Sequence, residues 1–351
     1  MNNNVCYFGS YGSFNIDYSR NRIIKKGLIK NNIKVYECTS SGFIIKRYFR
    51  LTLCFLKNKD KFQNIIVGFP GHYDVPLAFL LGKIFQKKVF FDIFASTYET
   101  YVLDREVVRQ NSVRAKFFFM LDWLGLKLAD YVIIDTIAHG KFYSQFYGLN
   151  PQKRIVVYVG SDTDYFYPRK VKEETDVLFY GSYQPLQGVD VIIKAASKLP
   201  KVKFKLIGEG QTRRSAENQA KDLKLKNVEF ADWLPLEKLA EEIAKAKITL
   251  GIFGTTQKAN VVIPNKVYDY LATNKPVITA NTEAIRKLFK TGINCILTKP
   301  GDSQDLALAI DGLLKNADNR LKIAKTGHNI FKSKLTTNSV VSNLISKLNE
   351  K

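Results

Sequence analysis

Two short apolar runs rich in β-branched residues, 248–253 and 277–279, flank a segment that opens at Pro264 and repeats apolar residues at helical spacing. That segment stops at Asn274-Lys275-Pro276. The order is strand, loop, helix, strand, the unit from which α/β folds with parallel sheets are built. Pro264 suits a first helical turn, where its missing N–H is no loss, and Pro276 ends the helix and marks the next strand. The helix N-terminus then faces loop 254–263 and favours an anion, with Lys266 in its first turn adding a full positive charge. Asp269 follows at the spacing that puts both residues on one side. The stretch reads as a phosphate and ribose site, with Lys266 and backbone N–H groups for the anion and Asp269 as acceptor for sugar hydroxyls. A solvated ion pair on an ordinary crossover helix has the same local pattern.

The alternation runs through the whole chain. Strand patterns fall at 5–8, 33–36, 65–68, 89–91, 131–134 and 155–160, then at 177–180, 204–210, 228–230, 248–253 and 294–297, with helical patterns between and from 303 to the end. The polar run 161–172 divides them, and 351 residues with 46% hydrophobic composition suffice for two cores. Candidate ligand residues sit where strands end, as in open α/β sheets. Gly9 and Gly12 follow the first strand, with Arg20 and Arg22 just beyond, where their guanidinium groups are expected to meet phosphate on an acceptor. His72 lies in a Gly-Pro loop after the third strand. The polar and aromatic segment 92–105, containing Asp92, Tyr98, Asp104 and Arg105, is a candidate cleft wall because loops this long are usually functional or mobile. His139 marks a further strand-to-helix junction, where Asp135 or Thr136 also fits a simple N-cap.

The formal charge of +22 attracts polyanions. Basic residues are spread over both halves and no nucleic-acid module is recognisable, which argues against nucleic acid. Residues 43–62 form a helical pattern, aromatic and apolar on one side and almost wholly basic on the other. It fits adsorption to an anionic membrane surface, and equally a core-packing helix with solvated lysines. The start of the chain has no secretory pattern and no window reaches about 20 apolar residues, so a cytoplasmic protein without a spanning helix is expected. Cys6, Cys38, Cys54 and Cys295 are scattered, without C-x-x-C spacing, so free buried thiols and no metal site are expected.

The stretch 264–279, with its Ala272-Thr273-Asn274-Lys275-Pro276-Val277 turn, resembles the nucleotide-binding segment of glycosyltransferase family 4. In that family a helix carrying Glu or Asp runs into an Ala-x-Gly-Lys-Pro-Val-like turn. The resemblance covers most of the chain. It implies an α/β fold of the GT-B type, two doubly wound Rossmann-like domains facing a central cleft: 1–165 for the acceptor, 166–335 for the nucleotide sugar, and 336–351 as a C-terminal helix that crosses back. It implies a retaining, hexosyltransferase-like enzyme that moves sugar from a nucleotide-diphosphate donor with no obligatory metal and no other cofactor. Donor binding falls to Gly181, Gln187, Gly188, Lys266 and Asp269, and a hydrogen bond to the donor sugar to His72 as catalytic residue. Acceptor and cleft roles fall to Gly9, Gly12, Asp92, Tyr98, Asp104, Arg105 and His139. Two positions where the family often carries charge are Gln187 and Val261, and the usual Arg appears as Ser182. Anion binding at 181–188 then rests on backbone N–H groups and Lys266, and a non-catalytic relative that binds nucleotide sugar or a partner protein is the alternative. With the basic helix, a lipid-linked or surface-polysaccharide acceptor on the inner membrane face is expected.

Overall fold

The computed structural model describes residues 4–11 and 18–350. It divides into two compact units, one formed by the chain up to Val159 and from Thr337 onward, the other by Gly160–Thr336.

In the first unit six parallel strands, β1 (Val5–Gly9), β2 (Val35–Thr39), β3 (Asn64–Val67), β4 (Lys88–Asp92), β5 (Tyr131–Ile134) and β6 (Arg154–Val156), lie in the order β2-β1-β3-β4-β5-β6. The connecting helices are α1 (Ser19–Lys30), α2 (Ile44–Asn58), α3 (Val75–Ile84), α4 (Val113–Leu128) and α5 (Ile137–Tyr147). The central strands are continuous apolar runs because a parallel sheet is covered on both faces. Tyr7, Ile66, Phe90 and Ile133 pack with Ile24 and Leu28 of α1. The C-terminal helix Ser342–Leu348 adds Leu344 and Leu348 to the same core.

The second unit repeats the plan with β7 (Thr175–Tyr180), β8 (Phe204–Ile207), β9 (Val228–Ala231), β10 (Ala246–Leu250), β11 (Val277–Ala280) and β12 (Ile296–Thr298) in the order β12-β11-β10-β7-β8-β9. Its helices are α6 (Val189–Ser197), α7 (Arg213–Asp222), α8 (Leu236–Ala244), α9 (Gln257–Val261), α10 (Asn265–Ala272), α11 (Ser303–Lys315) and α12 (Ala317–Ile330). Strand order reverses between β7 and β10, so the loops that leave those strands diverge and open a crevice there.

Several local expectations change. The segment 254–263 is not all loop: Thr256 accepts from Ala259 N at 3.2 Å and starts the single turn of α9. Pro264 precedes α10 as its N-cap residue, with φ −69° and ψ 147°, instead of sitting in the first turn. The helix expected over 43–62 ends at Asn58 and tightens into a 3₁₀ turn, Lys59–Lys61. Segment 92–105 contains a π-helical turn, Glu99–Asp104. Cys38 and Cys54 are disulfide-bonded, against the expectation of four free thiols; only Cys6 and Cys295 are free, and both are buried. The pair is 16 residues apart in sequence and becomes adjacent when α2 folds back over β2, with Cα atoms 5.7 Å apart.

Candidate functional site

The crevice of the second unit is built from the ends of β7 and β10. β7 finishes at Tyr180 and the chain turns through Gly181 at φ 155°, where a Cβ would lie 2.7 Å from Lys266 Nζ. Glycine is needed there both for its backbone angle and for the close approach of the lysine. Lys266, in the first turn of α10, is 3% exposed. Its ammonium donates to Gln187 Oε1 and lies 4.2 Å from the centre of the Phe179 ring. Burial pulls its pKa well below the ordinary lysine value, and no neighbouring carboxylate offsets the shift. The ε-amino group is met by a neutral amide and an aromatic face, so burial disfavours its charged form, and a bound anion would favour that form again.

Gln187 ends the 3₁₀ turn Pro185–Gln187, and Gly188, in the left-handed region at φ 63°, redirects the chain into α6. Phe253 N donates to Gln187 O at 3.0 Å and Gly254 N to Leu186 O at 3.1 Å, which fixes this loop against the one leaving β10. Asp269 lies one turn beyond Lys266 and its two carboxylate oxygens accept from the Ser161 and Tyr180 hydroxyls. Ser161 and Tyr180 were not legible as site residues, because nothing in their spacing links them to position 269. Alongside lies a cavity of about 530 Å³ walled by Gly188, Asp190, Thr212, Phe253, Thr256 and Gly301; Lys266 and Asp269 are not on its wall.

The first unit holds a cavity of about 750 Å³ lined by Ser10, Phe43, Arg47, His72, Tyr73, Tyr101, Arg114 and Phe118, among others. His72 is 2% exposed. A hydrogen bond with the Ala95 backbone holds its ring, and burial lowers its pKa below 6.5 in spite of Asp122, so it is neutral at neutral pH. Among the described residues its Nε2 has no hydrogen-bond partner and lies 3.6 Å from Asp122 Oδ1. Asp74 is ion-paired with Arg47 Nε at 2.9 Å and accepts from Ser10 N at 2.9 Å, and a Cβ on Gly9 would lie 3.1 Å from its Oδ2.

The other first-unit candidates lie elsewhere. Asp92 is fully buried against Arg20, with Arg20 Nε 3.0 Å from Oδ2 and Nη2 3.0 Å from Oδ1; this corrects the expectation that Arg20 meets phosphate. Tyr98 is buried with its ring against Phe119 and Phe146, Asp104 is buried, and the Arg105 guanidinium sits 5.5 Å from the centre of the Tyr101 ring. His139 is enclosed between Asp135 Oδ1, 2.6 Å from Nδ1, and Glu99 Oε2, 3.0 Å from Nε2. Burial opposes its charge, but the two carboxylates outweigh it and raise its pKa to about 10. Thr136 caps α5, accepting from His139 N at 2.9 Å. Of this set, His72 alone lines the cavity. Gly12 lies outside the described residues. Among the described residues no group of three or more His, Cys, Asp or Glu side chains is placed to hold a metal ion, and no helix is long and apolar enough to cross a membrane.

Residues 160–330 match the family model described as Glycosyl transferases group 1. An uncharacterized glycosyltransferase of Methanocaldococcus jannaschii is 24% identical over 237 residues, covering 64% of this chain and 60% of that protein. The lipopolysaccharide core biosynthesis glycosyltransferase LpsE of Rhizobium meliloti is 24% identical over 153 residues, 43% of each chain. The chain thus spans about half the length of the curated relatives it matches. Anabaena HepE, solved in complex with UDP-glucose, superposes with a TM-score of 0.73 at 16% identity, covering 98% of this chain and 99% of that one. The fold is GT-B, with two parallel six-stranded sheets flanked by helices.

Proposed function

We infer that this chain, in which residues 160–330 follow the group 1 glycosyl transferase pattern, is a glycosyltransferase that takes sugar from a nucleotide-diphosphate donor held by its second unit. The observation that carries this is Lys266: a buried amine with no carboxylate beside it, next to Gly181, at the N-terminus of α10 and at the strand-order reversal. As the bond from the anomeric carbon to the diphosphate breaks, negative charge grows on the leaving oxygen. Lys266 and the α10 N-terminus supply preorganised positive potential for it in a site from which water is largely excluded. Asp269, oriented by Ser161 and Tyr180, accepts from ribose hydroxyls. Gln187, whose neutral side chain motivated a non-catalytic alternative, instead serves as the partner that aims Lys266.

The finer reading follows the resemblance: a hexosyl group transferred with retention at the anomeric carbon to an acceptor in the 750 Å³ cavity of the first unit. His72, neutral and with Nε2 unpartnered among the described residues, is the residue to which the resemblance assigns a hydrogen bond with the donor sugar. The acceptor is a lipid-linked or surface-polysaccharide precursor at the inner face of the membrane, in keeping with the basic character of the chain and with the activity named for LpsE.

The test is a thermal-shift panel of UDP-, GDP- and ADP-sugars on the wild type and on Asp269→Asn. A donor at about 100 times its dissociation constant adds about 2.7 kcal/mol of stability, and the variant loses most of that gain. If no nucleotide sugar shifts either protein, the donor assignment is wrong.

A further inference from the structure

α2 buries Leu51 and Phe55 and presents its opposite side to solvent. At 3.6 residues per turn, Ile45, Phe49, Leu53 and Leu56 line up along that outer side, and they are 81%, 66%, 51% and 40% exposed. α4 repeats the pattern with Val113, Phe117, Met120 and Leu124, all exposed, opposite its buried Phe118 and Asp122. The two helices meet through Tyr73, whose carbonyl accepts from the Tyr48 hydroxyl of α2 and whose ring centre is 6.3 Å from that of Phe117. Single exposed apolar residues are ordinary, but two aligned stripes on connected helices mark a docking face.

The charge beside the stripes is of one sign. Lys46, Arg50 and Lys57 of α2 and Arg114, Lys116 and Lys127 of α4 are exposed, α2 has no acidic residue, and the single acid of α4, Asp122, is buried. Pairing two copies through this face would set basic against basic, which is unfavourable. An anionic bilayer accepts both components, with apolar side chains in the interfacial layer and ammonium and guanidinium groups among the headgroups. The 750 Å³ cavity is lined by residues of both helices and the turn before α2, among them Phe43 and Arg47, and Arg114 and Phe118 of α4.

We propose that the outer faces of α2 and α4 dock on an anionic lipid bilayer, which delivers a phosphate-bearing lipid acceptor to the cavity between them. The second half of this statement rests on the glycosyltransferase reading; the docking does not.

The full chain is sedimented with vesicles of phosphatidylcholine alone and of phosphatidylcholine with phosphatidylglycerol, at low and high salt. It partitions onto the anionic vesicles, and high salt releases it. Ile45→Gln with Phe49→Gln lowers partitioning about tenfold, and each of Lys46→Gln, Arg50→Gln and Lys57→Gln lowers it about fivefold. The thermal shift with nucleotide sugar is unchanged in all of these variants, which separates docking from the donor site and shows that the variants fold. Equal binding to both vesicle types, wild-type partitioning by the variants, no vesicle binding at all, or a dimer abolished by Phe49→Gln would each overturn the proposal. Loss of every nucleotide shift with vesicle binding intact would sink the functional reading and leave the docking surface standing.

Discussion

Lys266 lowers the stability of the unliganded fold at neutral pH. Its pKa is depressed by burial, so between the folded and unfolded values the unfolded chain binds the extra proton, and stability rises with pH through that window. On the proposed donor reading, a bound diphosphate reverses the sign by favouring the ammonium. Asp92 is the contrasting case. It reads as a cleft carboxylate from its place at a strand end, yet Arg20 engages both of its oxygens in the interior. We expect Asp92→Asn to cost about 3–5 kcal/mol by leaving Arg20 buried and uncompensated. Chemical denaturation measures this, and a variant of wild-type stability with a weakened acceptor interaction would return Asp92 to the cleft. Sequence pattern locates residues on elements, and so it located Lys266, Asp269 and Gln187 together. It does not show which of two strand-end acids faces inward, because that depends on the arginine a distant helix brings to it.

The apolar runs that became the central strands were visible because burial on both faces demands them. The exceptions lie where a helix or strand is too short for its period to register, as in the five-residue α9, or where an apolar residue is buried just ahead of its strand. Ile33 is of the second kind: it lies in the core although β2 begins at Val35. Segment 92–105 showed no periodicity because its order comes from elsewhere. Asp122 of α4 accepts from Thr97 N at 3.0 Å and from Tyr98 N at 2.8 Å, and Glu99 is gripped by His139 of α5. His139 is a clamp between elements, charged in the folded chain. With its pKa raised from 6.5 to about 10, its contribution to stability is fully present below pH 6.5 and is lost as pH rises through about 10. Imidazole resonances followed by NMR will show His139 still protonated at pH 8, and the stability difference between wild type and His139→Gln will shrink as pH approaches 10. A deprotonated ring at pH 8 would contradict the clamp.

At the scale of the molecule, two doubly wound units were legible because the strand-helix alternation restarts after the polar run near 161–172, and a family resemblance joined them into one architecture. Two features lay beyond that reading. The Cys38–Cys54 bridge ties β2 to the helix that carries an outward apolar stripe, and that stripe is distinguishable from a core-facing one only when burial is known. Charge of +22 is a property of the whole chain; what gives it direction is the absence of acids on α2 and the buried lysine behind Gly181. The most direct measurement is calorimetric titration of the nucleoside diphosphate sugar selected by the donor panel, run in buffers of different ionisation enthalpy, on wild type and Lys266→Met. The account predicts proton uptake on binding by the wild type, affinity that falls as pH rises, and a loss of both proton uptake and about tenfold or more in affinity in the variant. Binding by Lys266→Met with wild-type affinity and no proton uptake in either protein would contradict it.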